Sequence, residues 1–533
     1  DPDYIYLIPQ SEESIWSVST GWDKNRKVYM EFGIDYNRTF GLHKTTALIL
    51  YNQSKYYSPS LQYYVPNAYQ GLVGRLTYEY ASRYLAEFNM GYNGTENFAK
   101  GKRFGFFPAV SLGWVISEEK FFPKNNIVKY LKVRGSYGEV GNDQIGGDRF
   151  LYLPSSYGAA SDSGVNKYNF GLASNPYTSL MIVENKIGNP DLTWEKAKKM
   201  NVGVDINLFN NCLTASFDIF KEKRNNILAN RSTSPMIIGA NLPAYNFGEM
   251  ENRGWEMDLN FRHHIQDFHY WARFNYSFAR NEIIYMDEVQ KRYDYQMTTG
   301  RRKNQFFGLI FDGYYNSWEE INALDRPKSS WSGNQLQPGD VKYVDVNQDG
   351  VIDDYDMVPI GYTPVPEIIY GFSFGAQYKG FDFSILFQGA DNVSIKYFGR
   401  SMWPFAKGEE SAKSLIKERW TQERYEAGEK ITFPRLSLNP NGETDHNYRP
   451  STLWIRDASY LRLKNLEVGY TFTGGFVKRL NLNSVRLYFN GSNLFTWTDV
   501  VDLDPEAPSR SGNVEINTYP LQKVYNIGLN INF

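Results

Sequence analysis

The 533-residue sequence is poor in cysteine, in long apolar runs and in net charge. Cys212 is its single cysteine, so an intramolecular disulfide is excluded. No run of about 18 apolar residues occurs, which excludes a transmembrane helix. The formal net charge of −2 gives no argument for nucleic-acid binding. The sequence begins at Asp1 without a signal-peptide pattern, and we expect it to be a mature or cleaved product.

The sequence also lacks recognisable linkers between domains. At roughly 150 residues per domain, the length would predict three or four soluble domains. The chain nevertheless shows no Pro/Ser-rich hinge, no long charge run and no low-complexity tract. A single architecture that grows by adding hairpins explains this better than several domains do.

Aromatic residues are abundant and make up 17% of the chain, while the mean hydropathy is only −0.52. A transmembrane β-strand needs only about ten residues, of which every second one is apolar. A membrane protein built from such strands therefore keeps a low mean hydropathy, and the composition is compatible with one.

Apolar and polar residues alternate with period two along much of the chain. In 254–263 the apolar set alternates with a charged and amide set, in the order Trp255, Glu256, Met257, Asp258, Leu259, Asn260, Phe261, Arg262. The last strand has the same pattern, with Tyr525, Ile527, Leu529, Ile531 and Phe533 on one face. The polar face of each strand is thus predicted to be exposed to water, and the apolar face is predicted to contact lipid or a hydrophobic core. The terminal Phe533 is also typical of the C-terminal signal of outer-membrane assembly, although an ordinary final strand would look similar.

About fifteen such strands can be counted, and many are longer than the five or six residues usual in globular proteins. They lie near 27–36, 44–52, 70–80, 83–93, 106–116, 127–139, 194–209, 212–222, 252–263, 268–279, 367–379, 381–391, 459–473, 483–492 and 523–533. From the second strand onward the connections alternate between long and short. The long ones are 53–69, 94–105, 140–193, 223–251, 280–366, 392–458 and 493–522. Outer-membrane barrels have short periplasmic turns and long extracellular loops. The sequence therefore predicts an all-β, transmembrane, antiparallel up-and-down β-barrel with a defined orientation.

Strand parity makes the predicted barrel incomplete. Fifteen antiparallel strands cannot close without a parallel seam, and bacterial barrels have even strand numbers. If the parent is the plugged type with about 22 strands, seven strands and an N-terminal plug are absent. We therefore expect residues 1–533 to be the C-terminal portion of one barrel domain, with 280–366 as a long extracellular loop.

Several segments in order along the chain resemble the SusC/RagA family of TonB-dependent outer-membrane transporters from Bacteroidetes-type bacteria. The segments are 35–41, 104–122, 131–138 with Gly141-Asn142, 188–195 (GNPDLTWE), 252–256 (NRGWE), 338–343 (PGDVKY), 461–466 (LRLKNL) and 491–495 (GSNLF). The resemblance implies location in the outer membrane of a Gram-negative bacterium, in contact with lipid. It further implies a 22-stranded barrel with a plug, coupling to TonB, a SusD-like lipoprotein over the mouth, and a dimer of such pairs. Neither a plug nor a TonB-binding segment is contained in these residues.

The sharpest local motif is residues 345–356, DVNQDGVIDDYD, which follows the register of a calcium-binding loop. The predicted ligands are the side chains of Asp345, Asn347, Asp349, Asp353 and Asp356 and the backbone carbonyl of Val351. Calcium is expected before magnesium, and its role would be to rigidify an extracellular loop. The alternative is an acidic, solvated turn.

Aromatic side chains in the predicted loops are candidates for substrate binding, because aromatic faces stack on sugar rings and on peptide side chains. The candidates are Trp318, Trp331, Trp403, Trp454, Tyr63 and Tyr64. Each could equally belong to a loop core or contact a lid. Motifs of known catalytic sites are lacking, and an enzyme is not expected.

The resemblance implies active import of a bulky nutrient, most often an oligosaccharide and in some members an oligopeptide. Nothing in the sequence selects between these substrates. A soluble carbohydrate-binding β protein is the alternative from another class, and a passive porin or barrel enzyme is a third hypothesis.

Overall fold

The structure is a computed structural model. It describes residue 21 and residues 24–533 except 62–63, 145–148, 155–157, 160–166, 173–176, 181, 184–186, 234–241, 332–335, 398–401, 406–413, 438–444, 502, 507–512 and 515–520. No helix among these residues is long and apolar enough to cross a membrane.

One large antiparallel sheet dominates the described chain. Its fifteen strands pair in sequence order, and each strand except the first and the last pairs with the strand before and the strand after it. The strands are β1 (Arg26–Phe40), β2 (His43–Tyr57), β3 (Asn67–Tyr80), β4 (Tyr84–Thr95), β5 (Phe104–Val115), β6 (Val128–Asn142), β7 (Glu195–Leu208), β8 (Leu213–Ala229), β9 (Tyr245–Ile265), β10 (Phe268–Tyr285), β11 (Ile368–Tyr378), β12 (Phe381–Asp391), β13 (Tyr460–Phe472), β14 (Ser484–Thr498) and β15 (Val524–Asn532). The predicted number, order and direction of the strands are confirmed. Among the described residues no pairing joins β1 to β15, so the sheet is an open wall.

The tight turns between strands lie at one end of the wall, as predicted. Several of them contain residues in the left-handed region, where glycine and asparagine are least strained. Gly41 has a φ of 60°, Asn210 and Asn211 have φ values of 55° and 67°, and Gly380 has a φ of 94°. Local turn chemistry therefore fixes the register of each hairpin at this end, which is the periplasmic end by the loop-length rule.

Cross-strand register divides the wall into two chemically distinct faces. In β7, Met200 and Val202 lie on the outer face, and each is 52% exposed. Asn201 and Asp205 alternate with them on the inner face, where Asp205 is paired by register with Lys132. Exposed apolar side chains on a regular sheet need a nonaqueous environment, so the outer face is the one that meets lipid.

Three neighbouring strands extend farther than predicted at their extracellular ends. The strands β8, β9 and β10 contain 17, 21 and 18 residues. Beyond Trp255 the outer face changes from apolar to charged, with ion pairs between Lys221 and Glu251 at 2.9 Å and between Lys223 and Glu249 at 2.8 Å. Because charge replaces the apolar residues there, hydrophobic periodicity missed this extension. The wall therefore projects past the lipid on the extracellular side.

Aromatic side chains line the periplasmic boundary of the outer face. Phe268 stacks with Tyr270 at a ring separation of 5.4 Å and meets Tyr378 at 6.2 Å. Phe381 contacts Tyr470 at 4.6 Å. Aromatic girdles of this kind mark the membrane–water interface of outer-membrane barrels.

The remaining elements are short and lie mostly in the long loops. The helices are α1 (Trp318–Ile321), α2 (Gln422–Glu426) and α3 (Gly475–Arg479), with 3₁₀ turns at Ile116–Glu118, Asp294–Gln296, Asp354–Asp356, Ser414–Glu418 and His446–Tyr448. The short strands are Gly158–Ala159, Lys167–Phe170, Tyr177–Leu180, Ile182–Val183, Phe307–Gly308, Phe311–Tyr314, Lys328–Ser329, Val341–Tyr343, Val351–Ile352, Val358–Pro359, Ser394–Tyr397, Ile455–Asp457 and Asn513–Val514.

Candidate functional site: the mouth and the inner wall

The described parts of three extracellular loops pack together into one unit. The loops are 286–367, 392–459 and 499–523, and we call their assembly the mouth unit. Their shared core contains Leu309, Tyr314, Val341, Tyr343, Ile352, Val393, Ile395, Tyr397, Met402, Trp403, Trp420, Phe433, Tyr448, Leu453, Trp454, Ala458 and Val500. A core of this size means that these loops behave as a small packed domain on top of the wall.

Asp340 joins the first two loops of the mouth unit. It is 3% exposed and forms an ion pair with Arg435 at 2.6 Å. Its carboxylate also accepts hydrogen bonds from the side-chain amide of Asn447 at 2.8 Å and from the backbone N–H of Gln337 at 2.8 Å. The Oδ1 atom of Asn447 in turn accepts a hydrogen bond from the backbone N–H of Val341 at 2.9 Å. The PGDVKY segment (338–343) therefore connects the first two loops of the mouth unit through Asp340.

His446 lies beside this fastening. Its Nε2 is 2.8 Å from the carbonyl oxygen of Val341, and its Nδ1 is 3.1 Å from Oγ of Ser329. Burial lowers the pKa of His446, so the neutral imidazole is favoured. The neutral ring therefore connects Val341 and Ser329 through hydrogen bonds and is not an exposed acid or base.

Arg462 fastens the third loop to the wall. Only 2% of its side chain is exposed. Its guanidinium donates to Glu506 at 2.6 Å and to Asp504 at 2.7 Å. Glu506 also accepts hydrogen bonds from the hydroxyl of Tyr460 at 2.8 Å and from the amide of Gln388 at 3.2 Å. Because Gln388 lies on the inner face of β12, Asp504 and Glu506 of the last loop lie on the lumenal side of the wall.

The inner wall below the mouth carries charges that are paired across strands. Arg134 of β6 binds Asp218 through two hydrogen bonds at 2.7 and 2.6 Å and reaches Asp205 at 3.1 Å. Farther along the sheet, Arg486 bonds to Asp382 and, at 2.6 Å, to Glu467. Such bridges hold neighbouring strands in register and leave a lumenal surface rich in polar atoms.

Two concavities open on this inner side. The larger, of about 540 Å³, is lined among others by Glu87, Ser111, Lys132, Arg134 and Asn201. The smaller, of about 290 Å³, lies near the mouth. Its lining includes Glu222, Arg224, Asn252, Arg302 and Lys303. Hydroxyls, amides and both signs of charge are therefore available to a polar solute that passes along the wall.

The predicted substrate-binding aromatics fall into different environments. Trp403 and Trp454 are 4% and 3% exposed in the core of the mouth unit, so their rings pack against other loop residues. Trp331 is partly buried, and the guanidinium of Arg449 lies 4.2 Å from its ring centroid. Trp318, in α1, and Tyr64 are 52% and 72% exposed. The sixth candidate, Tyr63, lies outside the described residues. For Trp403 and Trp454 the loop-core alternative is the one observed.

The calcium-type loop adopts a fold built on side-chain-to-backbone hydrogen bonds. Asp345 accepts the N–H of Gly350 at 2.8 Å, and Gly350 has a φ of 82°. Asp356 is fully buried and accepts the N–H groups of Val346 and Asp353 at 2.8 and 2.9 Å. Burial raises the pKa of Asp356. The loop thus closes on itself around this carboxylate.

Whether the loop suits a cation can be judged from its oxygens. In the described part of the chain, no group of three or more His, Cys, Asp or Glu residues could hold a metal ion. One buried oxygen, Oδ1 of Asp345, nevertheless has no hydrogen-bond partner. Asn347 and the carbonyl of Val351 would have to complete the donor set, as in calcium loops with mixed oxygen ligands. These oxygen donors are of the type that a hard cation prefers. The unpartnered Oδ1 of Asp345 would contact such a cation.

Another connection was not foreseen from the sequence. In the GNPDLTWE segment, Asn189 donates to the carbonyl of Ala244 at 3.0 Å, and the indole of Trp194 donates to the carbonyl of Arg103 at 3.2 Å. Trp194 packs with Phe98 and Phe107 in a separate buried cluster. This segment therefore ties the start of β7 to the loops on both sides of it. The only sequence signal was the family resemblance itself.

Comparison with known proteins agrees with this architecture. The family model "TonB dependent receptor-like, beta-barrel" matches residues 8–494. TonB-dependent receptor P3 of Formosa agariphila is 28% identical over 479 residues, which are 86% of this chain and 45% of the relative. TonB-dependent receptor SusC of Bacteroides thetaiotaomicron is 28% identical over 477 residues, 88% of this chain and 44% of SusC. The chain thus spans about half the length of the curated relatives it matches.

A solved structure of the RagAB peptide transporter has the same fold. It superposes with a TM-score of 0.71 and 21% sequence identity, covering 96% of this chain and 56% of the RagAB chain. The predicted antiparallel barrel architecture is therefore confirmed. The family model and the match to SusC place the chain in the outer membrane. The chain belongs to the TonB-dependent receptor-like β-barrel family.

Proposed function

We propose that the chain is the C-terminal barrel portion of a TonB-coupled importer that carries bulky polar nutrients across the outer membrane. Oligosaccharides are the first expected substrate class and oligopeptides the second. A SusD-like surface lipoprotein would cover the extracellular mouth, and a plug outside these residues would connect to TonB. Pairs of transporter and lid could further associate as dimers.

The observation that carries this proposal is the continuous polar inner face beneath an ordered mouth unit. A passive channel needs a polar wall as well, but it does not need a packed extracellular platform of three loops. The mouth unit offers a firm surface on which a lid could rest, and Asp504 and Glu506 bring part of the last loop to the lumenal side of the wall. The likeness to SusC supports this interpretation without selecting the substrate.

Uptake by the full-length transporter tests the proposal. A strain without the gene should fail to deplete one pool, either labelled oligosaccharides or labelled oligopeptides, and the restored gene should recover depletion. A protonophore should abolish the restored uptake, because TonB coupling uses the inner-membrane gradient. Uptake that persists with the protonophore would indicate a passive porin. A full-length protein that is soluble without detergent would revive the soluble binding protein.

Of the predicted aromatic residues, we propose Trp318 and Tyr64 as substrate contacts, because both rings remain exposed. Trp331 keeps one accessible side at most, since Arg449 covers the other. Trp403 and Trp454 would act through the packing of the mouth unit.

We also propose that Ca²⁺ binds the loop 345–356 and stabilises the mouth unit. In the full-length transporter, Ca²⁺ should slow proteolysis of the extracellular loops relative to chelator, because a ligand that binds the folded loop stabilises it. The double variant Asp345→Asn/Asp349→Asn should lose that response. The matched control Asp354→Asn changes an exposed carboxylate outside the ligand positions and should keep it. Equal proteolysis with and without Ca²⁺ in the wild type would contradict the proposal.

A further inference from the structure

A row of polar side chains crosses the inner wall near the mouth. Strand register pairs Lys199 of β7 with Glu222 of β8. It further pairs Glu222 with Asn252 of β9, and Asn252 with Asn281 of β10. Residues directly opposite each other on neighbouring strands share one face of a sheet, and Lys199 is two residues from Asn201 on the inner face. The row therefore faces the lumen, and its four strands lie in the middle of the wall, away from either open edge.

A cationic segment of the mouth unit lies beside this row. The segment 300–303 follows the upper end of β10, because Ile283 exchanges two backbone hydrogen bonds of 2.8 Å with it. The N–H of Lys303 also donates to Oδ1 of Asn281 at 2.7 Å. Arg302 and Lys303 line the smaller concavity of the inner wall. Backbone contacts therefore hold these two cations next to the amides of the row.

Two of the carboxylates that line the concavity belong to β8 and β9, and both are already bound by cations. Glu222 forms ion pairs with Lys199 at 3.3 Å and with Arg224 at 2.9 Å. Glu251 forms an ion pair with Lys221 at 2.9 Å. Glu222 thus has two cations for one negative charge, while the pair of Glu251 and Lys221 is neutral.

Glu367, the remaining carboxylate of the lining, is also shared by two cations. It is 4% exposed, accepts hydrogen bonds from Arg280 at 2.9 and 2.8 Å, and forms an ion pair with Arg302. Lys303 is exposed, and among the described residues it forms no ion pair. Since Glu222 and Glu367 each have two cations, and Lys303 has no carboxylate, three positive charges around the concavity lack a counter-charge.

Other acidic residues of the adjoining segments do not balance this charge. By the alternation of β10, Glu282 lies on the opposite face from Asn281. Asp287 and Glu288, just beyond β10, accept hydrogen bonds from loop N–H groups. Residues 234–241, in the loop between β8 and β9, are outside the described part of the chain and contain no Asp or Glu. The excess positive charge is therefore available to a solute in the lumen.

We propose that the smaller concavity binds a carboxylate group of the imported oligomer, so that the cargo is anionic. The proposal rests on the proposed import function and adds the charge of its substrate. Arg224 is 46% exposed, and a guanidinium can hold a carboxylate through two parallel hydrogen bonds. Lys303 adds a second positive charge, and the amide of Asn252 can donate to, or accept from, a neighbouring polar group of the cargo.

The size of the concavity suits one charged unit of a longer chain. Its volume of about 290 Å³ is at the lower end of the range for small-molecule sites. A uronic acid of an oligosaccharide and an acidic residue of an oligopeptide carry the same carboxylate group. The shared chemistry is thus an anionic polar oligomer, and the two sources are separated by experiment.

Binding to the purified full-length transporter in neutral detergent tests the proposal. Two pairs of probes are titrated by calorimetry: trigalacturonate with neutral galactotriose, and triglutamate with triglutamine. In at least one pair, the charged member should bind about tenfold more tightly than its neutral counterpart, because only the charged member pairs with the excess cations. The pair that shows this preference identifies the source of the carboxylate.

The double variant Arg224→Gln/Lys303→Gln should lose this preference. Both side chains are exposed, and every carboxylate of the lining keeps another cation, so folding should be preserved. The matched control is Lys196→Gln/Lys198→Gln. It removes the same charge from the outer face of β7, the face of Met200, and should keep the preference. Heat-dependent gel mobility checks that each variant is folded.

Two results would overturn the proposal. The first is equal binding of the charged and neutral members in both pairs. The second is a preference for the charged member that persists in Arg224→Gln/Lys303→Gln, since carboxylate recognition would then lie elsewhere. Protonophore-sensitive uptake of a neutral oligomer together with the first result would reject an anionic cargo and leave the proposed import function standing. Absence of any protonophore-sensitive uptake would instead reject the import function itself.

Discussion

Replacing Arg462 with alanine should release the last extracellular loop from the wall. The guanidinium is 2% exposed and holds Asp504 and Glu506 at hydrogen-bond distance. Without it, Asp504 and Glu506 lose their buried counter-charge, and only the partly exposed Lys464 still reaches Glu506. Removing one partner of a buried ion pair typically costs about 3–5 kcal/mol. The detached state of the loop should therefore become about a hundredfold more populated, or more.

Proteolysis of intact cells measures this effect. The Arg462→Ala variant should be cleaved within 499–523 much faster than the wild type, while heat-dependent gel mobility shows an intact barrel. Lys464→Ala is the matched control, because Lys464 reaches the same Glu506 at 3.5 Å but is 30% exposed. Exposed ion pairs contribute little, about 0–1 kcal/mol, so this control should be cleaved at nearly the wild-type rate. Slow cleavage of Arg462→Ala would show that the network does not hold the loop.

Replacing Asp340 with alanine should loosen the connection between the first two loops of the mouth unit. The substitution leaves Arg435, the side-chain amide of Asn447 and the N–H of Gln337 without their acceptor. Because Asp340 is 3% exposed, water cannot replace these bonds without opening the core. The expected cost is about 3 kcal/mol or more, from one buried ion pair and two hydrogen bonds.

Hydrogen exchange of the full-length transporter in detergent locates the effect. In Asp340→Ala, amide protection of peptides that cover 309–343 and 445–458 should fall by a factor of ten or more. Protection of β5 to β7 should stay unchanged, since no described contact of Asp340 reaches them. Asp340→Asn should be intermediate, because it keeps an acceptor oxygen and loses only the charge. Unchanged protection of both loop peptides in Asp340→Ala would contradict the fastening role.

The strands of the wall could be predicted from the sequence because each one is specified by a local, period-two alternation of apolar and polar residues. Alternation such as Trp255, Glu256, Met257, Asp258 identifies a strand with one apolar face, and loop lengths then give its orientation. The same rule failed at Lys223 and Glu249, where the strands continue above the lipid beyond their predicted bounds. There the outer face no longer has to be apolar, so the periodic signal disappears although the backbone pairing continues.

The mouth unit was much less predictable. A tryptophan in a long loop looks the same in the sequence whether it stacks on a ligand or, like Trp454, packs in a core. No sequence pattern predicts the hydrogen bond between Asn447 and Asp340, because the two residues are 107 positions apart. These features arise from long-range packing, which a period-two pattern does not encode.

The central claim is that alternate residues of each strand face lipid and the lumen of an outer-membrane transporter. It is tested most directly by spin labels on β7 of the full-length transporter in bilayers, after Cys212 is replaced by serine. Labels at Met200, Val202 and Val204 should be accessible to oxygen dissolved in the lipid. Labels at Lys199, Asn201 and Asn207 should instead be shielded from lipid and accessible to a water-soluble relaxant. A regular alternation of the two accessibilities is the predicted result, and equal accessibility at all six positions would contradict the account.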